Sequence, residues 1–269
     1  MPFICHNGNF ADAQSPVLPG TNPAFKWGEG LFETMKLLGG RILLADRHWA
    51  RLLAGMQRLA LNGAALQPPV VEQHLCALAL RNGCTEAARL RLQVYRDGDG
   101  VGYIAEATPL EPEDLAWNER GWRMGVYPDA RILPDAFSPL KRSSYLSYHL
   151  AGRYAATQGW DESLLLNVHD RLCDGARTNL FLVAGGMVYT PPVSEGCIAG
   201  VMRAHVLEVM KEMRRAFVET QLTQEMLLRA DEIFLTNALK GIRWVRHFGQ
   251  RQYGSSVSRV LYGQLQATF

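Results

Sequence analysis

The chain has 269 residues, with 28 Lys plus Arg against 26 Asp plus Glu, a formal net charge of +2. That near balance excludes the basic excess of a dedicated nucleic-acid or anionic-membrane binder. Hydrophobic residues are 48% and charged residues 20%, which excludes wholesale disorder and suits one large domain or two moderate ones.

Strand-like and helix-like stretches alternate along the chain, and a mixed α and β fold is expected. Met35–Leu38 and Arg41–Leu44 flank Gly39-Gly40, a hairpin whose glycines supply the positive φ of a tight turn. A helix follows from about Asp46, with Trp49, Leu52, Leu53, Met56 and Leu59 on one apolar stripe and Arg47, His48 and Arg51 on the exposed face. Between Arg89 and Tyr95, Leu90, Leu92 and Val94 point one way; Arg89, Arg91, Gln93 and Tyr95 point the other. Two arginines on one strand face could line an anionic site or face solvent. Gly98, Gly100 and Gly102 follow that strand as a turn; their spacing is wrong for a dinucleotide fingerprint.

Residues 106–120 hold Pro109, Pro112 and acidic residues without periodicity, the mark of a linker. The expected organisation is a small N-terminal α/β domain at 1–112, a linker at 113–120 and a larger domain at 121–269. In the larger domain a strand lies near Trp122–Tyr127, and a helix runs from about Ser143 to Gln158 with Gly159 as its C-cap. Glu162–Val168 is a strand, Asn179–Thr190 a hairpin turning at Gly185-Gly186, Gly200 the start of a helix, and Glu232–Thr236 a buried strand.

Several chemistries are absent from the text. The seven histidines show no zinc-type spacing, so no metal is expected. There is no nucleophile elbow and no phosphate loop. No apolar run reaches the roughly 20 residues of a membrane-spanning helix, and the Met1–His6 start has no secretory pattern. Cys5, Cys76, Cys84, Cys173 and Cys197 are odd in number and widely spaced. They read as reduced thiols of a cytoplasmic protein, packed as small apolar side chains.

Three features remain that could bind a phosphate and an amine. Gly200-Val201-Met202-Arg203 begins a helix, whose free N–H groups attract anions. Thr236-Asn237-Ala238 ends a strand in small and polar residues. Lys141 lies in Ser138-Pro139-Leu140-Lys141 among apolar neighbours, where a partly desolvated amine becomes a nucleophile toward an aldehyde.

Taken in order with their neighbours, these pieces resemble the class IV aminotransferases. The pieces are Gly28–Thr34, His48-Trp49-Ala50-Arg51-Leu52, Lys141, Asp174–Phe181, Thr190-Pro191-Pro192, Gly200–Arg203 and Ala230–Ala238. That family consists of pyridoxal-phosphate (PLP) enzymes of fold type IV, similar to D-amino-acid aminotransferase. The resemblance implies a two-domain α+β fold, a homodimer, and a larger domain carrying Lys141 and the phosphate cup. It implies that Lys141 forms the Schiff base with PLP and then serves as general base. Asp174 would pair with the pyridine nitrogen where the family has Glu. Arg51, Gly200, Val201, Met202, Thr236, Asn237 and Ala238 would hold the phosphate; Met202 stands where many relatives have Thr. Ile198 would pack on the pyridine face, and Tyr145 would approach the cofactor hydroxyl or belong to the core.

Within the family, the Gly-Val-Met-Arg cup, the Asn-Ala-Leu at 237–239 and the compact length resemble the 4-amino-4-deoxychorismate lyases of folate synthesis. The K-x-G-G-N-Y segment of branched-chain aminotransferases and the R-x-H pattern of D-amino-acid aminotransferases are missing. The lyases' Arg-Gly-Tyr is Val101-Gly102-Tyr103 here, and Arg91 or Arg96 would supply the positive charge toward substrate beside Tyr103. A branched-chain or D-amino-acid aminotransferase, and a non-catalytic relative, stay open as alternatives.

Overall fold

A computed structural model describes residues 2–64 and 66–269. The chain divides into two compact units, Met1–Pro112 with Leu140–Ser144, and Glu113–Pro139 with Tyr145–Phe269.

The first unit opens with β1 (Phe3–His6), β2 (Asn9–Asp12) and the short helix α1 (Pro23–Trp27), followed by β3 (Gly30–Leu38) and β4 (Arg41–Ile42). Helices α2 (Ala45–Arg58) and α3 (Pro68–Arg81) precede the long antiparallel pair β5 (Ala87–Asp97) and β6 (Gly100–Pro109). The sheet order is β2-β1-β6-β5-β3-β4. Gly39 and Gly40 both take positive φ and turn β3 into β4. Leu90, Leu92 and Val94 are fully buried on the face covered by Trp49, Leu52 and Met56 of α2 and Leu75 and Leu78 of α3. Each such leucine contributes about 1.5–3 kcal/mol of burial free energy. Tyr95 is buried, its hydroxyl 2.6 Å from His6 Nε2. One expectation fails here: His48 is 1% exposed rather than on the solvent face of α2. A carboxylate on β3 draws His48 inward.

The second unit runs through α4 (Pro112–Leu115), β7 (Trp122–Ile132), α5 (Leu146–Thr157), β8 (Glu162–Asn167), β9 (Leu172–Gly175), β10 (Asn179–Ala184), β11 (Met187–Thr190) and α6 (Val201–Glu212). It ends with β12 (Phe217–Glu219), α7 (Gln224–Arg229), β13 (Glu232–Asn237), β14 (Gly241–Phe248), β15 (Arg251–Gln252) and α8 (Ser256–Gln266). The sheet order is β12-β11-β10-β13-β14-β7-β8-β9, with β15 paired to β14. Phe181 of β10 and Phe234 of β13 face each other in register and stack at 4.8 Å, a cross-strand aromatic pair at the centre of the sheet.

The segment expected as a linker is part of this second unit. Buried Arg243 donates to the carbonyls of Glu113, Asp114 and Ala116, and Trp244 Nε1 donates to Asn118 O. A guanidinium that satisfies three carbonyls fixes the chain that supplies them. Likewise, Lys141 groups with the first unit rather than the larger one. Leu31 and Arg142 form an antiparallel bridge, Phe32 N donates to Lys141 O at 2.9 Å, and Ser143 N donates to Gly30 O. That bridging ties residues 141–143 to β3, and α5 starts at Leu146 and not at Ser143. Its C-terminal end follows expectation, with Gly159 at φ +66° just past the last turn.

Candidate functional site

In the second unit the predicted residues lie at the ends of β9 and β13 and at the start of α6, with Asn179 at the start of β10 among them. Asp174 on β9 is 2% exposed. Its Oδ1 accepts from Asn179 Nδ2 at 3.0 Å; its Oδ2 accepts from Ile198 N at 2.9 Å and from Tyr148 Oη at 3.4 Å. Burial and the nearby Asp174 charge push the Tyr148 phenol well above its ordinary range, so its hydroxyl stays a donor. The same two causes raise Cys197 to about 12 and Cys173 well above the usual thiol value. Both thiols are therefore neutral structural neighbours of the carboxylate. Tyr145 stacks on Tyr148 at 4.6 Å and donates to Ala176 O at 2.9 Å, which places it beside the loop that leaves β9.

Gly200 is the N-cap of α6 and carries no side-chain cap, and Val201 and Met202 form the buried first turn. The first N–H groups of a helix have no partner within it. A Cβ at Gly200 would lie 1.8 Å from Asn179 Oδ1, so only glycine fits there. Asn179 and Thr236 are direct partners in the β10–β13 ladder. Thr236 is 1% exposed and its Oγ1 has no hydrogen-bond partner, an unusual state for a buried hydroxyl. Asn237 Oδ1 accepts from Leu239 N and Lys240 N, capping the turn through Ala238, and its Nδ2 donates to Arg177 O at 3.4 Å.

In the first unit, Lys141 Nζ lies 4.4 Å from the Phe32 ring centroid, and Arg91 Cζ lies 4.2 Å from the same centroid. Phe32 thus takes two cations on its π system. The three residues expected toward substrate do not converge. Strand alternation puts Arg91 on the face opposite Arg96, and Tyr103, paired with Val94, belongs to the core face. Arg96 binds Glu29 and the carbonyls of Leu59 and Ala60, and the Tyr103 hydroxyl meets His74 Nδ1 at 2.6 Å.

Arg51 on α2 reaches buried Glu33 through Nε at 2.8 Å and through Nη2, while His48 Nδ1 meets Glu33 Oε2 at 2.7 Å. Burial alone would push the Glu33 carboxyl up. The Arg51 charge and the hydrogen bonds from His48 and Arg51 outweigh it and bring the group from 4.5 to about 2. A carboxylate with a lowered folded value stabilises the fold above its unfolded value, and that contribution disappears as pH falls from 4.5 toward 2. Between about pH 5 and about pH 2, the wild-type protein is expected to lose roughly 3 kcal/mol more unfolding free energy than Glu33→Gln in urea titrations. Parallel losses would remove Glu33 from the acid response.

Neither Asn179 nor Tyr148 is marked as a site residue by the sequence alone. Asn179 stood within the Asp174–Phe181 motif, five residues past Asp174, and that spacing was its only local signal.

Residues 30–248 match the class IV amino-transferase family. The chain belongs to that family. It is 26% identical to the aminodeoxychorismate lyase of Bacillus subtilis over 94% of this chain and 89% of that protein. It is 31% identical to the branched-chain-amino-acid aminotransferase of Salmonella typhimurium over 99% of this chain and 91% of that protein. Among solved structures, the 4-amino-4-deoxychorismate lyase of Pseudomonas aeruginosa superposes with a TM-score of 0.82 at 27% identity, covering 98% of each chain. The fold is the type IV fold of PLP enzymes, and the family is PLP-dependent. The second unit's residues fit such a group. The orphaned Thr236 hydroxyl and the uncapped N–H groups of α6 are donors suited to phosphate oxygens, and the buried Asp174 carboxylate suits a protonated ring nitrogen.

Proposed function

We propose that the chain is a PLP-dependent 4-amino-4-deoxychorismate lyase that yields p-aminobenzoate and pyruvate for folate synthesis, acting in the cytoplasm as a homodimer. The supporting observation is the end-to-end match with the P. aeruginosa lyase, 98% of each chain, joined to the lyase-like wording at Gly200–Arg203 and Asn237–Leu239. Bound PLP supplies an electron sink for the carbon that bears the substrate nitrogen. Lys141 Nζ would be the residue that holds the group through its aldehyde, and its free amine would be the base for the proton on the ring carbon that carries the substrate nitrogen. Asp174 would pair with a protonated pyridine nitrogen, and its hydrogen bonds from Asn179, Ile198 and Tyr148 hold its oxygens in place for that task. The N–H groups of Val201 and Met202 and the Thr236 hydroxyl would hold the phosphate, and the family resemblance gives Arg51 the same role. Loss of that ring-carbon proton together with the enolpyruvyl group, through cleavage of its C–O bond to the neighbouring ring carbon, would make the ring aromatic, and protonation of the released enol would give pyruvate, so no amino acceptor is needed.

The reading is tested by incubating catalytic amounts of the PLP-loaded protein with aminodeoxychorismate and no keto acid. Multiple-turnover release of p-aminobenzoate is expected. The 31% identity to the Salmonella aminotransferase supports a second reading, amino transfer. It takes the first place if p-aminobenzoate is absent and a keto acid is consumed with a branched-chain donor.

A further inference from the structure

The Asp174 carboxylate is tied to the loop that enters α6 both directly, through the Ile198 backbone, and through the Asn179 side chain. Asn179 Nδ2 donates to Asp174 Oδ1 at 3.0 Å and to Ile198 O at 2.9 Å, and Ile198 N returns a bond to Asp174 Oδ2 at 2.9 Å. These three bonds close a ring through β9, β10 and the loop that enters α6. Both N–H bonds of the Asn179 amide are used, and its oxygen lies against Gly200, where a Cβ would approach to 1.8 Å. Its ladder partner is Thr236. An apolar residue of the same size would leave the Asp174 oxygen and the Ile198 carbonyl short of a buried donor.

We propose that Asn179 is a positioning residue that locks the Asp174 carboxylate to the Ile198–Gly200 loop and so fixes its separation from the first turn of α6. The proposal rests on the reading that Asp174 meets the pyridine nitrogen and that α6 meets the phosphate. Asn179 acts through Asp174 and the Ile198–Gly200 loop and sets the span between them.

The test uses an isosteric change. Asn179→Asp keeps shape and packing but places a second carboxyl beside Asp174. Two carboxyls at that distance share one proton and repel once it is lost. Tyr148, Cys173 and Cys197 lie beside Asp174 and are raised by burial and by Asp174 itself, so these three do not change charge across the neutral range; Tyr145, Glu195, Arg203 and Glu219 complete the charged and titratable groups around them.

PLP dissociation from holoenzyme, followed by equilibrium dialysis, is compared with wild type at each pH. Asn179→Asp is expected to bind PLP within about threefold of wild type near pH 5.5 and to weaken about tenfold or more by pH 8.5. Asn179→Ala is expected to weaken binding about tenfold at every pH. Thermal unfolding of each apoprotein checks that the fold is retained. If Asn179→Asp tracks wild type across the range, or if Asn179→Ala binds PLP like wild type, the lock is overturned. The pyridine role is separated from the lock by Asp174→Asn. If that variant leaves the pH dependence of the bound cofactor's absorbance unchanged while Asn179→Asp still weakens with pH, the lock stands and the pyridine assignment falls.

Discussion

Lys141→Ala is expected to lower turnover by at least about a thousandfold and to abolish the near-visible absorbance of lysine-bound cofactor. The loss is chemical rather than structural. Lys141 is placed by its backbone, since its carbonyl accepts from Phe32 N at 2.9 Å and its neighbour Arg142 bridges Leu31. Alanine preserves both interactions. What alanine removes is an amine held 4.4 Å from the Phe32 ring centroid, where the aromatic face replaces part of its hydration. A small primary amine added to the assay is expected to restore part of the activity, because it supplies the missing proton acceptor. Turnover near the wild-type rate would remove Lys141 from the reaction. A collapsed thermal transition would instead point to the cation–π contact as a structural anchor.

What could be read from the sequence was what local chemistry encodes. The alternation of Leu90, Leu92 and Val94 marks a strand with one buried face, and those residues are indeed fully buried. Gly39-Gly40 and Gly185-Gly186 mark turns, and all four take positive φ. What was hidden depends on partners distant in the chain. His48 sits at a position where helical periodicity predicts exposure, yet Glu33, 15 residues earlier, draws it into the core. Nothing local to Arg142 reveals that it will bridge Leu31 and delay α5. Residues 113–120 look like a linker because the residues that hold them, Arg243 and Trp244, come more than a hundred positions later. The candidate site divides in the same way. Asp174, Ile198 and Gly200 were named from motif wording, and the structure brings all three into contact with Asn179. The residues that orient them, Asn179 and Tyr148, carry no chemistry of their own and leave no mark beyond position.

Asp174 is the second position where a large effect is expected, and its surroundings determine the order among variants. Its two oxygens meet three donors, from Asn179, Ile198 and Tyr148. Asp174→Asn keeps the volume but turns one oxygen into an N–H group. That group faces a donor and, on the proposed pairing of Asp174 with the ring nitrogen, no longer stabilises its proton. Asp174→Ala removes the charge and leaves all three donors unanswered. Both are expected to reduce kcat by about a hundred- to a thousandfold, the usual consequence of removing a preorganised electrostatic group. Asp174→Glu retains the charge but must place an extra methylene where Ile198 N already lies 2.9 Å from Oδ2. It is expected to lose about tenfold, with activity recovering in part when Tyr148→Phe removes the hydroxyl that crowds the same oxygen. Steady-state kinetics of the four variants, with PLP content measured for each, tests this order. Equal losses for Ala and Glu would mean that the site needs the shape of aspartate rather than its charge. The pyridine nitrogen would then have to find its proton elsewhere.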